Sequence, residues 1–259
     1  MRDSLNIKNI EFYYGDYKVL DKINMKLKPG EINILIGVNG AGKTTLLKAI
    51  SGLLKDIRGT VYYDDLDLKN MSYREKGKLI SFIPQNIHTD QNYSVLDIVV
   101  MGITPYLSLF ENPREEHYEI GRQILKELNI YHLKDNSIGE LSGGERRMVY
   151  LGRVLMQKCK IILLDEPNTF LDYVRQHDFF TFISKFVKEK KLITLFTIHD
   201  INLALRYADR IHILDENKII DVVNCRESGY EKRILESLKK IYMRDFSIVD
   251  TKVGPMIIC

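Results

Sequence analysis

The sequence predicts an α/β protein built around a largely parallel sheet. Strand-like and helix-like segments alternate along the chain, which is the order expected of that fold class. Four short apolar runs are typical of buried strands: "EINILIG", "LISFIPQ", "KIILLDE" and "LITLFTIH", at residues 31 to 37, 79 to 85, 160 to 166 and 192 to 199. The first run leads through a glycine-rich loop into a helical pattern, as expected where a strand and a helix meet at a phosphate-binding loop.

The N-terminal segment predicts a further strand. From Leu5 onward, "MRDSLNIKNIEFYYG" alternates apolar and polar residues, which suits a half-buried strand. The same alternation does not suit the apolar stretch of a signal peptide.

The stretch between the second and third apolar runs predicts a helical lobe inserted into the sheet. Residues 94 to 102 and 115 to 129 have helical patterns. Ser94 is expected to cap the first helix, and Gly102 is expected to end it. The inward-facing positions of these helices are apolar: Val95, Leu96, Val99, Val100, Ile124, Leu125 and Leu128.

The C-terminal part of the sequence predicts a hairpin followed by a charged tail. After Arg210, "IHILDENKIIDVV" has a turn pattern at residues 215 to 218. The tail is compatible with a strand pair that completes the domain.

Composition restricts the classes of function. A chain of 259 residues with 45% hydrophobic content can bury the core of one large domain or of two lobes. Its formal net charge of +3 does not support nucleic-acid binding. Three distant cysteines (Cys159, Cys225 and Cys259) match neither a disulfide framework nor a zinc pattern, so we expect a reduced, cytosolic setting. No run reaches membrane-spanning length, so contact with a membrane would require partners.

The segment "GVNGAGKTT" predicts a phosphate site. Gly37, Gly42, Lys43 and Thr44 fit the P-loop pattern between a strand and a helix. Its backbone N–H groups and the helix dipole would face the phosphates of a nucleotide. Lys43 is expected to reach the β- and γ-phosphates, and the Thr44 hydroxyl is expected to ligate Mg²⁺. The alternative is an ordinary glycine-rich turn.

Two acidic residues and a histidine follow later strands. Asp165 ends "IILLD" and would hold Mg²⁺ through its water shell, while Glu166 would act on the attacking water. The alternative for this pair is a turn with an acidic start to the next helix. His199 ends the strand in "TIHD", where open α/β sheets bind ligands, although a structural histidine is the alternative.

The segment "LSGGE" has a local and a functional interpretation. Ser142 and Glu145 before an apolar-periodic run predict a capping box that opens a helix. The adjacent Gly143 and Gly144 would also let another surface approach a helix N-terminus, which favours an anion.

Together these motifs resemble the ATPase subunit of an ABC transporter over nearly the whole chain. The matching segments are "GVNGAGKTT" as Walker A, Gln85 as the Q-loop glutamine, "LSGGE" as the signature, "IILLDE" as Walker B, "FLD" as the D-loop and His199 as the switch histidine. The resemblance implies a P-loop NTPase fold with a RecA-like sheet core, an inserted helical subdomain and an N-terminal antiparallel β portion. It divides the single domain 1–259 into a nucleotide-binding core (1–85 and 158–222), a helical insertion (86–157) and a C-terminal extension (223–259).

The resemblance also implies the cofactors ATP and Mg²⁺ and a set of site residues. The catalytic residues are Lys43, Gln85, Glu166 and His199, and the metal ligands are Thr44, Gln85 and Asp165. The ATP-binding residues are Tyr14, Gly37, Asn39, Gly40, Ala41, Gly42, Lys43, Thr44, Thr45, Ser142, Gly143, Gly144, Glu145 and Asp172. Tyr14 would stack on adenine; Tyr13 and Tyr17 are alternatives, as is a role for Tyr14 in strand packing.

Family members form head-to-tail dimers, so Ser142 and the 143 to 145 backbone would bind the γ-phosphate of ATP held by the other subunit. Two features depart from the family pattern. Glu145 replaces the common glutamine, and its carboxylate is expected to turn back to the Ser142 backbone. The D-loop "NTFLD" keeps Asp172 but has the bulky Phe170, which affects the details of communication between the sites.

The stretch after Gln85 and the chain's end resemble ATPases of importers for iron-siderophore complexes, haem or cobalamin, although an arginine often occupies the position of Ile103. The implied partners are transmembrane permease subunits at the cytoplasmic face of the cell membrane and, indirectly, a substrate-binding protein, with no nucleic acid. Residues 85 to 106 are expected to form the permease surface, with a groove beside Gln85 and with Ile103 and Tyr106 as the positions to test. The alternative is that these apolar residues only close the core of the helical lobe. The alternatives are an ABC ATPase that drives assembly, such as iron-sulfur cluster scaffolding, and a P-loop kinase or GTPase, which would leave "LSGGE" without a role.

Overall fold

A computed structural model describes residues 3–86, 92–252 and 254–259. The strands are β1 (Leu5–Tyr14), β2 (Tyr17–Leu27), β3 (Asn33–Ile36), β4 (Arg58–Tyr63), β5 (Leu66–Asp67), β6 (Ile80–Ile83), β7 (Ile161–Asp165), β8 (Ile193–Thr197), β9 (Arg210–Asp215), β10 (Lys218–Asn224), β11 (Ser247–Thr251) and β12 (Gly254–Ile258). The α-helices are α1 (Lys43–Ser51), α2 (Tyr73–Leu79), α3 (Val95–Val100), α4 (Glu115–Glu127), α5 (Gly143–Gln157), α6 (Tyr173–Lys190), α7 (Ile201–Tyr207) and α8 (Tyr230–Tyr242). Short 3₁₀ helices cover Leu68–Asn70, Met101–Tyr106, Tyr131–Leu133 and Ile138–Glu140.

A six-stranded sheet with the order β10-β9-β3-β8-β7-β6 forms the centre of the molecule. Its five strands from β9 to β6 are parallel, and β10 adds an antiparallel edge. All residues of β3, β7 and β8 are buried, which explains why their sequences are short and almost continuously apolar. The predicted α/β class with a largely parallel sheet is therefore confirmed.

A second, antiparallel sheet with the order β2-β1-β4-β5 covers one face of this centre. β1 pairs with β2 on one side and with β4 on the other. The apolar residues of this sheet and of α1 form one hydrophobic cluster with β7 and β8 residues. This cluster holds α1, and with it the glycine-rich loop, against the parallel strands.

Helices α3, α4 and α5 lie between β6 and β7 in the chain, where the sequence predicted a helical insertion. Gly152 allows α5 to approach α3 closely, because a Cβ there would lie 3.0 Å from a Val99 methyl carbon. The chain does not stop its helical course at Gly102, since a 3₁₀ helix continues to Tyr106. Residues 87–91 belong to the predicted insertion and lie outside the described residues. The division into core, insertion and extension stays a prediction.

The hairpin predicted after Arg210 is confirmed as β9 and β10, joined by Glu216 and Asn217. The tail forms α8 and a strand pair, β11 and β12. The Asn202 side chain holds this pair to α7, because it accepts from Ile257 N at 2.7 Å and donates to Ile257 O at 3.1 Å. Among the described helices, none combines the length and apolar character needed to cross a bilayer.

Candidate functional site

The glycine-rich loop connects β3 to α1 at the carboxyl end of the parallel strands. Gly40 and Gly42 have φ angles of 82° and 101°, in the region that favours glycine. A Cβ on Gly37 would lie 2.3 Å from the Leu214 carbonyl oxygen, so only glycine fits beside β9. The loop therefore requires these glycines for its shape, and its N–H groups lead directly into the N-terminus of α1.

Lys43 lies inside the loop, with 6% of its surface exposed. Its ammonium group donates to Gly37 O at 2.9 Å and to Val38 O at 3.1 Å. Burial lowers the pKa of Lys43, and the nearby charges of Glu166 and Asp165 oppose this shift. The ammonium group thus occupies the space that the loop encloses.

Asp165 accepts two hydroxyl hydrogen bonds at the end of β7. Thr44 donates to its Oδ2 at 2.7 Å, and Thr197 donates to its Oδ1 at 2.7 Å. The Thr197 hydroxyl also accepts from Glu166 N at 2.8 Å. A chain of hydrogen bonds therefore joins the loop helix to the acidic pair. Our sequence analysis missed Thr197.

Glu166 makes contact with two other residues predicted to be catalytic. Gln85 Nε2 donates to Glu166 Oε2 at 2.6 Å, and His199 Nε2 is hydrogen-bonded to Glu166 Oε1. The Glu166 side chain is 13% exposed, whereas the His199 side chain is 43% exposed. The ends of β6, β7 and β8 thus bring together a carboxylate, an amide and an imidazole, a combination that can orient water and accept its proton.

The donor atoms around Asp165 fit Mg²⁺. The Asp165 carboxylate and the Thr44 hydroxyl are adjacent hard oxygen ligands, and the Gln85 amide, which contacts the neighbouring Glu166, carries another. Mg²⁺ is commonly held in proteins by one or two carboxylates together with substrate phosphates and water. To ligate the ion, Thr44 would turn its hydroxyl proton away from Asp165 Oδ2.

The segment "LSGGE" begins α5 with a complete capping box. Glu145 N donates to Ser142 Oγ at 3.3 Å, and Ser142 N donates to Glu145 Oε2 at 2.9 Å. The Glu145 carboxylate also accepts from the Ser142 hydroxyl at 2.6 Å, and these bonds lower the pKa of Glu145. The predicted helix start is confirmed, as is the orientation of Glu145 toward the Ser142 backbone.

Within one chain, the site residues form two separate groups. Among the described residues, no hydrogen bond or ion pair joins "LSGGE" to the glycine-rich loop. Instead, a Cβ on Gly143 would lie 2.7 Å from the Phe170 Cβ, so the glycine accommodates that side chain. Asp172 caps α6 by accepting from Arg175 N at 2.8 Å.

The three candidate adenine-stacking tyrosines differ in what surrounds their rings. Tyr13 lies under the cations of Lys18 and Arg58, at 5.3 and 5.7 Å from its ring centre. Tyr14 and Tyr17 flank the β1–β2 turn and are 52% and 67% exposed. Their rings are therefore the more accessible for stacking on a base.

Arg147 is a second residue that our sequence analysis missed. It lies on α5, is 3% exposed, and contacts the backbone at Gln85 and Glu166. The sequence did contain a signal for a buried Arg147, because its spacing to Tyr150, Leu151 and Val154 places it on the same helix face as these residues. A cation on a buried stripe is unusual and indicates a specific contact.

Comparison with known proteins places these features in one family. The family model described as ABC transporter matches residues 20–169. The "Probable iron chelatin transport ATP-binding protein" of Helicobacter pylori (strain ATCC 700392 / 26695) is 39% identical over 216 residues, which cover 83% of this chain and 85% of that protein. The ferric enterobactin transport ATP-binding protein of Escherichia coli (strain K12) is 33% identical over 243 residues, covering 93% and 88%.

Solved structures agree with this result. A nucleotide-free ATP-binding cassette from an ABC transporter has a TM-score of 0.83 and 29% identity, covering 94% of this chain and 100% of that chain. A dimeric bacterial ABC transporter cassette has a TM-score of 0.76 and 25% identity, covering 86% and 99%.

Proposed function

Because this chain belongs to the ABC transporter family of ATP-binding proteins, we propose that it powers the import of an iron-siderophore, haem or cobalamin-type compound through separate membrane subunits. The family's ATP-binding domains hydrolyse ATP. The observation that carries the ATP-hydrolysis part of the proposal is the contact of Glu166 with Gln85 and His199 beside a P-loop.

The P-loop residues bind the nucleotide in this proposal. The Lys43 ammonium group leaves the carbonyl oxygens of Gly37 and Val38 and contacts the β- and γ-phosphates. Thr44 and Asp165 would hold Mg²⁺, which would neutralise charge on the phosphate oxygens. Tyr14 stacks on adenine, since its ring is half exposed at the end of β1.

Glu166 and its partners act on water. A water oxygen attacks the γ-phosphorus, the bond from the γ-phosphorus to the β-phosphate bridging oxygen breaks, and Glu166 accepts the proton from water. Gln85 and His199 hold the Glu166 carboxylate from two sides, so its direction is set before the reaction. The products are ADP and inorganic phosphate.

A head-to-tail homodimer completes the site, because "LSGGE" is separate from the P-loop of its own chain. Ser142 and the exposed start of α5 are then available to the γ-phosphate of the other subunit's ATP. Phe170, which lies against Gly143, is 68% exposed, and Tyr173 and Val174 at the start of α6 are 74% and 66% exposed. An exposed apolar patch supports a protein contact there, and a solved relative is dimeric.

The relatives support iron chelates as the cargo. Those compared above are named for iron chelatin and ferric enterobactin transport. An assembly function such as iron-sulfur cluster scaffolding is not favoured by these relatives. A tagged chain isolated from detergent-solubilised membranes should co-purify permease subunits, at the cytoplasmic face of the cell membrane. Recovery of soluble assembly proteins and no permease would contradict the proposal.

The prediction that Ile103 and Tyr106 belong to a permease groove beside Gln85 is wrong. Ile103 does not line a groove beside Gln85, because it is 7% exposed and packs in the main core. Tyr106 is exposed and lies against Lys78, and together with Ile103 it lines a different cavity. The groove of about 480 Å³ next to Asn86 is lined by other residues, including Leu53, Tyr73, Met101, Thr104 and Pro105. A charge at Ile103 would therefore destabilise the fold rather than test docking.

We propose that this groove accepts a short helix from a permease subunit. Leu53 is 56% exposed at its rim, so Leu53→Glu should leave soluble ATPase activity intact and weaken membrane association by about tenfold or more. Leu66→Glu is the matched control, since Leu66 is 57% exposed on β5 and does not line the groove. Flotation of the tagged variants with permease-containing membranes measures the association. Equal association of both variants would exclude this groove.

A further inference from the structure

Arg147 connects three parts of the molecule through one guanidinium group. Its Nη1 donates to Pro84 O at 3.0 Å, and its Nη2 donates to Gln85 O and Glu166 O, both at 3.1 Å. Arg147 itself belongs to α5, the helix that Ser142 caps. The group therefore joins the helix that begins at "LSGGE" to the Q-loop glutamine and to the residue proposed as the base.

Arg147 is a buried cation whose hydrogen-bond partners are backbone carbonyl oxygens instead of a carboxylate. Arg147 is 3% exposed, and no carboxylate of the described residues lies within ion-pairing distance of it. Burial lowers the pKa of Arg147, and the charges of Asp165 and Glu166 oppose this shift. A buried cation is costly, and here its hydrogen bonds to three backbone carbonyl oxygens offset that cost.

Two side chains form hydrogen bonds with the backbone of Glu166, and Arg147 is one of them. Glu166 has a φ angle of 46°, a left-handed conformation that non-glycine residues rarely adopt. Its N–H donates to the Thr197 hydroxyl, and its carbonyl oxygen accepts from Arg147. Such strained residues keep their conformation when surrounding contacts impose it. Arg147 thus helps to set the direction of the Glu166 carboxylate.

We propose that Arg147 is a positioning residue that couples the two ATP sites of the dimer. This inference rests on the proposed head-to-tail arrangement. When Ser142 binds the γ-phosphate held by the other subunit, α5 takes one position. Arg147 transmits that position to Gln85 and Glu166 of its own subunit. ATP bound in one site thereby orients the base of the other site.

The test compares Arg147→Met and Arg147→Lys with the wild type in soluble ATPase assays over a range of ATP concentrations. Arg147→Met should lower kcat by about tenfold or more, because misplacement of a catalytic group by about 1 Å has effects of that size. Its Hill coefficient should fall to one, while the wild type stays above one. ATP affinity should be unchanged, since Arg147 donates to Pro84, Gln85 and Glu166 and not to the P-loop. Arg147→Lys should recover part of the rate, because it keeps a charged donor without the fork of two nitrogens.

Lys188→Met is the control, because it removes a cation from an exposed position of α6 that lies outside the proposed sites. It should keep the wild-type rate and Hill coefficient. Thermal unfolding of each variant separates loss of coupling from loss of fold. If Arg147→Met does not fold, the kcat and Hill coefficient of Arg147→Lys test the inference. A folded Arg147 variant with wild-type kcat and Hill coefficient would overturn the inference, as would a wild-type Hill coefficient of one. Failure of Glu166→Gln to dimerise with ATP would instead contradict the proposed dimer.

Discussion

Glu166→Gln should lower ATP turnover by about 10² or more while ATP still binds. Glutamine keeps the shape of the side chain and an oxygen that can accept from Gln85, whose amide lies 2.6 Å from Glu166 Oε2. It cannot take a proton from water at neutral pH. The P-loop contacts of Lys43 do not involve Glu166, so nucleotide affinity should remain. Phosphate release and equilibrium ATP binding measure the two effects.

The same variant should accumulate as a closed dimer with ATP, because it binds ATP but does not convert it to products. Size-exclusion chromatography with and without ATP detects this change. Glu189→Gln is a suitable control, since Glu189 lies on the exposed side of α6 and its contact with Lys185, at 3.9 Å, is on the surface. Turnover by Glu166→Gln at the wild-type rate would show that Glu166 is not the base that accepts the proton from water.

Ser142→Arg should abolish hydrolysis and leave the nucleotide affinity of the isolated subunit nearly unchanged. The larger side chain would occupy the place where the γ-phosphate of the other subunit's ATP approaches α5. The substitution also removes a helix cap, which costs about 1 kcal/mol of stability. Ser72→Arg controls for that loss, because Ser72 and Glu75 form the same capping box on α2. Only Ser142→Arg should stop ATP hydrolysis.

Mixing Ser142→Arg with Lys43→Ala tests the composite site directly. In a mixed dimer, the intact P-loop of the first chain meets the intact "LSGGE" of the second, so one complete site forms at most. The other site contains both substitutions. ATPase assays of the mixture should show activity that neither variant has alone. Normal hydrolysis by Ser142→Arg on its own would show that "LSGGE" is only a capped helix start with no role in hydrolysis.

The sequence by itself determined the features that depend on neighbouring residues. The P-loop required glycines at fixed spacing between a strand and a helix, and its pattern was readable without the fold. The capping box of Ser142 and Glu145 spans four residues, so its hydrogen bonds were predictable, including the direction of the Glu145 carboxylate. The strands and the β9–β10 hairpin followed from apolar runs and turn residues for the same reason.

Only the tertiary structure decided which side chains from distant segments meet. Thr197 lies beside Asp165 because β7 and β8 are paired in parallel with those two residues in register, and one residue of slip would turn the hydroxyl away. Arg147 reaches Glu166 because α5 packs over the ends of β6 and β7. Ile103 is buried because the 3₁₀ helix Met101–Tyr106 packs against α5, where Gly102 meets the backbone of Arg153. These arrangements depend on strand register and helix packing between segments far apart in sequence, which local patterns do not specify.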